Sequence, residues 1–440
     1  MPAPIVLKPR WIWTGTELLT GCCLELREGR IGAIVPADAH PAVPEATQRL
    51  VLPGFVDAHS HAFQRAFRGH VQWRPADRDD FWSWRDRMYA TANGLDPDGV
   101  QAVSALTFLE MAEAGVTTVG EFHYLHHAPD GTRYEDPDEL ARRVLAAAEQ
   151  VGIRIVLLRV AYARAGAGLP PRDDQRRFYD RRPDDVLAAL ERLGKGARVG
   201  LAAHSVRALD EDWLRALSAW EGVVHAHVSE QPAENEACVR EHGVGPLRAL
   251  EQAGLVSERF TAVHLTHPLP GDVDLLVERG GAIAVCPSTE LDLGDGFLPV
   301  DARTRARLCV GSDSHAAIDP LGEARTLELH GRALAGRRNV LAPPGERHGL
   351  AERLLRACTL EGDRALGGAG RGIVPGEPAD LVVLDLDRPA ADGVPPLEAA
   401  VFGGGPSWVD EVWVGGRCLV AGGRHLRRAQ LRRAAAPFLG

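Results

Sequence analysis

Along this chain, short apolar runs alternate with longer stretches in which apolar and polar residues recur at helical spacing. The run Val51-Leu52-Pro53-Gly54-Phe55-Val56 leads directly into His59-Ser60-His61. Further strand-like runs lie at 116–124, 153–161, 199–205, 223–230, 261–267, 282–290 and 308–315. Their near-continuous apolar character predicts parallel strands buried on both faces. Helical patterns fall between them, such as 97–114, which opens on Pro97 and stops before Gly115, and likewise 137–151 and 184–193. Eight βα units in succession predict an α/β fold, a closed (β/α)8 TIM barrel, over residues 51–369.

The two ends have a different texture. Residues 1–50 carry short β-type pieces broken by Gly and Pro, and residues 370–440 repeat it, with Gly415-Gly416 as a hairpin signal between two apolar runs. Together they predict one small β-sandwich domain, 1–50 plus 370–440, built from both chain ends.

Composition narrows the function classes. Of 440 residues, 45% are hydrophobic and 25% charged, the balance of an ordinary globular protein. No apolar run is long enough to cross a bilayer, which argues against a membrane partner, and the N-terminus lacks the apolar segment of an export signal. Seven cysteines, an odd number without a C-x-x-C pair, suggest free thiols in a reducing cytoplasm. A net charge of −10, with only short arginine runs between 424 and 433, leaves no footprint for nucleic acid.

The candidate chemistry lies at the strand ends. Nearly every predicted barrel strand finishes on polar residues: His59/His61, Glu121 to Tyr124, His204, His227/Glu230, His264/His267, Ser288/Glu290 and Asp313/His315. One His-x-His pair arises easily by chance; the shared placement carries the argument, because barrel enzymes work at that end. Residues i and i+2 of a strand share a face, so His59 and His61 can grip one ion. His227 and Asp313 complete a set of three imidazoles and a carboxylate, suited to zinc or iron, that leaves a position for water and lowers its pKa. Asp313 can also accept the water's proton, Glu230 can shuttle a proton to the substrate, and His264 can polarise the substrate or hold the attacking water. The only lysines, Lys8 and Lys195, do not fall at the end of strand four, so a lysine-bridged metal pair is not expected and one metal is. Arg207, just past that strand, suits a carboxylate, which guanidinium pairs bidentately.

Several motifs go beyond this pattern: HSHAFQRAFRG (59–69), EFHYLHH (121–127), HSVRA (204–208), HVSEQPAENEAC (227–238), HLTH (264–267), CPSTELDLGDGFLP (286–299) and GSDSHAAIDPLGEAR (311–325). With them the chain resembles the amidohydrolase superfamily, in its mononuclear deaminase-like branch, and within it the formimidoylglutamate deiminases. The resemblance implies hydrolysis of N-formimino-L-glutamate, a small molecule with two carboxylates, to N-formyl-L-glutamate and ammonia in histidine degradation. It implies one Zn2+ on His59, His61, His227 and Asp313, catalytic roles for Glu230, His264 and Asp313, and a homodimer. Substrate contacts carry over to Gln64, Arg85, Tyr124, His204 and Arg207. Arg87 competes with Arg85 inside WSWRDRMY, and Gln64 and Tyr124 suit packing equally well. His123, His126, His127 and His315 are expected to be structural or to support the metal ligands from behind. The Trp-rich piece 72–89, with Trp82 and Trp84, and the loop 293–298 are candidate covers for the pocket. A purine or pyrimidine-type deaminase would use the same metal set, and a non-catalytic scaffold is disfavoured because all four ligands are present.

Overall fold

The computed structural model describes residues 3–73 and 80–439. Eight parallel strands are hydrogen-bonded in sequence order: β1 (Phe55–Ser60), β2 (Val116–His123), β3 (Arg154–Ala161), β4 (Arg198–Ala203), β5 (Val224–Val228), β6 (Phe260–His264), β7 (Ala282–Val285) and β8 (Arg307–Val310). The sheet closes where β8 runs into β1. Ser60 bridges Asp313 in parallel, Asp313 N donates to His59 O at 2.9 Å, and His61 N donates to Asp313 O at 3.1 Å. The predicted (β/α)8 barrel is therefore the observed fold, and its seam lies among the candidate ligands.

Local signals explain the helices. Asp96 caps Pro97–Glu113 by accepting from Gly99 N at 2.7 Å, Pro97 sits in the first turn, and Gly115 leaves with φ 92°. Glu139–Val151 ends at Gly152 in the left-handed region, φ 100°.

The chain ends form two further sheets. Ile5–Leu7, Cys22–Arg27 and Arg30–Pro36 make a three-stranded one. Pro9–Trp13, Leu18–Thr20 and Ala46–Pro53 join Leu381–Asp385, Val409–Val414, Arg417–Ala421 and Arg424–His425 in a seven-stranded one. Ile12, Leu24, Ile31, Val51, Leu381 and Val383 share one apolar core between them. The Gly415-Gly416 hairpin is present, with φ of 54° and 70°. Arg154 at the start of β3 grips Asp380 with two bonds of 2.5 and 3.0 Å, tying barrel to small sheet.

Two expectations need correction. Val51–Pro53 do not belong to the first barrel strand; they pair antiparallel with Leu381–Val383. Gly54 separates the two strands because a Cβ there would lie 2.2 Å from Thr117 Oγ1, leaving room for backbone alone. β7 stops at Val285, and Pro287 opens a helix, Pro287–Leu293, so Ser288 and Glu290 are helical residues and not strand-end ones. Among the described residues no helix is long and apolar enough to cross a membrane, and all seven cysteines are free of disulfides, five of them buried.

Candidate active site

The ends of β1, β5 and β8 bring His59, His61, His227 and Asp313 together, all buried, with one donor atom from each lying within 4.8 Å of the others. His59 Nε2 is 3.1 Å from His61 Nε2 and 3.2 Å from His227 Nε2. Asp313 Oδ1 stands 3.3 Å from His59 Nε2 and 3.2 Å from His61 Nε2. The second ring nitrogens fix two tautomers: His61 Nδ1 donates to Phe122 O and His227 Nδ1 to His204 O, each at 3.0 Å. Their Nε2 lone pairs therefore face one another. Burial, first of all, pushes His59 down to about 3 and His227 well below the usual imidazole range, so the rings are neutral donors. Lone pairs converging on one point fit a cation and little else. A tetrahedral ion with bonds of about 2.0–2.1 Å has edges of about 3.3–3.4 Å, close to the observed separations.

A hydrogen-bonded frame lies behind these donors. Asp57 accepts from Ser312 Oγ at 2.6 Å and from the backbone N–H groups of Ser312 and His59 at 3.1 and 3.3 Å, clamping β1 to the segment after β8. Glu121 accepts from Ser60 Oγ at 2.6 Å and Ala62 N at 2.8 Å. His315 spans Ser312 Oγ and Ser60 Oγ at 3.0 and 3.3 Å, the structural role expected of it. The backbone is strained here. Of seven non-glycine residues with positive φ among those described, five lie at strand mouths: Ser229, His264, Leu265, Asp313 and His315. Such conformations cost about 1–3 kcal/mol each and persist where packing imposes them.

Beside the donors, Glu230 Oε1 and Asp313 Oδ2 approach His264 Nε2 at 3.7 and 3.6 Å, while Glu290 Oε1 faces His264 Nδ1 at 3.4 Å. Burial lowers the His264 imidazole, but Glu230, Glu290 and Asp313 together outweigh it and raise it to about 10. A cavity opens onto this group, walled by Phe81, Trp84, Tyr89, Tyr124 and Tyr162 and by the polar heads of Arg85, Arg207, Gln64 and His204. Arg207 donates to Glu230 at 3.0 Å and lies 3.9 Å from Glu234. Arg85 stacks 4.5 Å over Trp82, and its buried Nε has no hydrogen-bond partner among the described residues.

The comparisons with known proteins agree with this geometry. Residues 50–419 match the model of the Amidohydrolase family. The chain belongs to the amidohydrolase family. It is a hydrolase acting on C–N bonds. The formimidoylglutamate deiminase of Pseudomonas aeruginosa is 36% identical over 427 residues, 94% of each chain. A 5-methylthioadenosine/S-adenosylhomocysteine deaminase of Natronomonas pharaonis is 30% identical over 411 residues, 89% of this chain and 86% of that one. The crystal structure of an amidohydrolase from Brucella melitensis superposes with a TM-score of 0.89 at 33% identity, covering 99% of both chains.

Within this amidohydrolase, all eleven residues singled out in the sequence meet at one barrel mouth. His59, His61, His227 and Asp313 form the donor cluster; Glu230 and Asp313 flank His264; and Gln64, Arg85, Tyr124, His204 and Arg207 line the cavity. Arg87 does not: it borders a separate groove with Trp73 and Asp292. Gln64 Nε2 donates to Tyr124 Oη at 2.8 Å, leaving its buried Oε1 without a partner among the described residues. Of the expected covers, Trp84 and Leu293 line the cavity, whereas Trp82 backs Arg85; residues 74–79 of the Trp-rich piece lie outside the described residues. Sequence reasoning passed over Glu234, fully buried against Glu230 N at 3.2 Å, and the Asp57–Ser312 clamp. The placement of Glu234 four residues after Glu230, on the first turn of a helix that opens on Pro232, was the available signal.

Proposed function

We propose that this chain hydrolyses the formimino group of N-formimino-L-glutamate, giving N-formyl-L-glutamate and ammonia in histidine degradation, with one zinc ion held by His59, His61, His227 and Asp313. The observation that carries this reading is the presence of two guanidiniums, Arg85 and Arg207, in the wall of the cavity onto which the four donors open. The substrate carries one carboxylate beside the nitrogen that bears its C=N and a second at the far end of its side chain, and arginine is the side chain that pairs carboxylate bidentately. The 36% identity to the Pseudomonas deiminase supports the same substrate.

When bound, the ion supplies Lewis acidity, lowering the pKa of water and stabilising negative charge on oxygen. The chain's own groups then move the protons. Asp313 Oδ2 takes a proton from the attacking water, and His264, lying between Asp313 and Glu230, hydrogen-bonds the oxygen as charge develops there. Glu230 relays two protons in turn to the nitrogen that departs, the one Asp313 takes from the water and the hydroxyl proton released as the carbonyl forms. Oxygen adds to the formimino carbon, the bond from that carbon to the terminal nitrogen breaks, and the nitrogen leaves as ammonia. Gln64 Oε1 and Tyr124 hold the substrate's amidine end, and the aromatic walls limit access of bulk water.

A second reading has its own support. Five aromatic side chains line the cavity, which suits stacking on a nucleobase, and the Natronomonas relative carries a nucleoside deaminase name. One assay separates the two: ammonia release from N-formimino-L-glutamate and from adenine nucleosides, with metal-loaded and chelator-treated protein. Metal-dependent release from the first, with N-formyl-L-glutamate as co-product, is expected. Release only from the nucleosides would overturn the proposal.

A further inference from the structure

We propose that Cys286, His264 and Asp313 form a second cation site, specific for one soft divalent ion, and that filling it stops the reaction. The three side chains are buried, and one donor atom from each lies within 4.8 Å of the others. Cys286 follows the last residue of β7, and its backbone N–H is pinned by Glu290 Oε1 at 2.9 Å. Glu290 also faces His264 Nδ1, which orients that ring from the far side. His264 Nε2 is buried and makes no hydrogen bond among the described residues; the groups facing it are the carboxylates of Asp313 and Glu230, at 3.6 and 3.7 Å.

Asp313 is shared without conflict because its two oxygens point different ways. Oδ1 stands with His59 and His61 at 3.3 and 3.2 Å, and Oδ2 stands 3.6 Å from His264 Nε2. A carboxylate presenting one oxygen to each of two adjacent donor groups is the arrangement that bridges paired ions, normally about 3.5–4 Å apart. The donor set decides the kind of ion. Sulfur, imidazole nitrogen and one carboxylate oxygen favour zinc or cadmium, whereas magnesium and calcium require several oxygens. Cys286 packs against the small apolar side chains of Ala58, Val263, Ala284 and Cys309. On binding, a sulfur–metal bond replaces the S–H bond, His264 gives up the proton on Nε2, and both protons pass to buffer; nothing is oxidised or reduced.

The consequence is inhibition by excess metal. An ion on His264 and Asp313 Oδ2 removes the two groups proposed to handle the water's proton and the developing charge. The inhibition therefore rests on the proposed reaction, while the binding does not.

The test is a cadmium titration of protein that already carries one equivalent of zinc, followed by cadmium–thiolate ultraviolet absorbance, metal content per chain and ammonia release. A second equivalent bound together with a thiolate band and falling activity is expected. In Cys286→Ala the band from this site should vanish and inhibition weaken roughly 100-fold, with activity at one equivalent of zinc retained. Cys286→Ser, which keeps the volume of the site, should act likewise. Saturation of the wild type at one ion without a thiolate band would overturn the proposal, as would a band and inhibition unchanged in both variants. A second ion and band in protein that releases no ammonia from any deaminase substrate would uphold the binding site and sink the proposed reaction instead.

Discussion

Two arginines in one cavity play different parts. Arg207 is held by Glu230 and lies beside Glu234, whereas Arg85 rests on Trp82 with its Nε unpartnered among the described residues. Arg85→Met is expected to raise KM for N-formimino-L-glutamate roughly 100-fold while kcat changes little, the mark of lost carboxylate binding. Arg207→Met should lower kcat as well, because it also releases Glu230 from the position it occupies beside His264. Steady-state kinetics of the two variants distinguishes the roles, and equal effects on kcat would contradict the division. Removal of the metal acts at the same scale. Three imidazoles and a carboxylate whose free electron pairs converge are stabilised by a cation, so chelation should abolish ammonia release and lower Tm, both restored by zinc. Calorimetry with and without chelator checks this, and an unchanged Tm would argue that the donors hold no ion.

Among the elements, β8 depends on one glycine. A Cβ on Gly311 would lie 2.7 Å from His59 O and 2.8 Å from His59 Cβ, so Gly311→Ala forces β8 away from β1 and spoils the alignment of His59 with Asp313. Activity should fall at least about tenfold, and zinc should be lost more readily on dialysis. The hairpin strand Arg424–His425 gives a pH-dependent element. His425 Nε2 donates to Val151 O at 2.9 Å while Nδ1 accepts from Arg427 N at 3.0 Å, and burial, as the main cause, lowers its pKa below the usual value of 6.5. The fold therefore needs the neutral ring. Below about pH 6.5 the unfolded chain takes up a proton that the native one resists, and stability falls as pH drops. Tm should decline between pH 7 and pH 5, and less steeply in His425→Asn; identical slopes would exclude this contribution.

The same elements show what the sequence disclosed. Glu139–Val151 and Pro97–Glu113 were legible because their caps and breakers, Pro97, Gly115 and Gly152, are local signals. The downstream ends of β5 to β8 were placed several residues too far. Beyond them the chain stays buried and continues in left-handed turns at Ser229, Leu265 and Asp313, so the apolar texture persists after pairing stops. That His59, His61, His227 and Asp313 cluster was legible because these residues sit on or just past strand ends. Glu234 was not, since its importance depends on what Arg207 and Glu230 do across the barrel mouth.

For the whole molecule, the strand that delivers the chain to His59 takes its partner from the other end. Arg49 of Ala46–Pro53 reaches Asp385, 336 residues later, and the backbones of the two strands pair throughout Leu381–Asp385. At a synthesis rate of about 5–20 residues per second, that partner emerges from the ribosome roughly 20–70 s after its mate. Throughout this interval the nascent barrel carries an open β-edge, Gln48 to Pro53, that any other unfolded chain could extend. A message truncated before codon 381 makes that interval permanent. Its product should collect in the insoluble fraction and not as a shortened enzyme, although every residue of the catalytic mouth has already been translated.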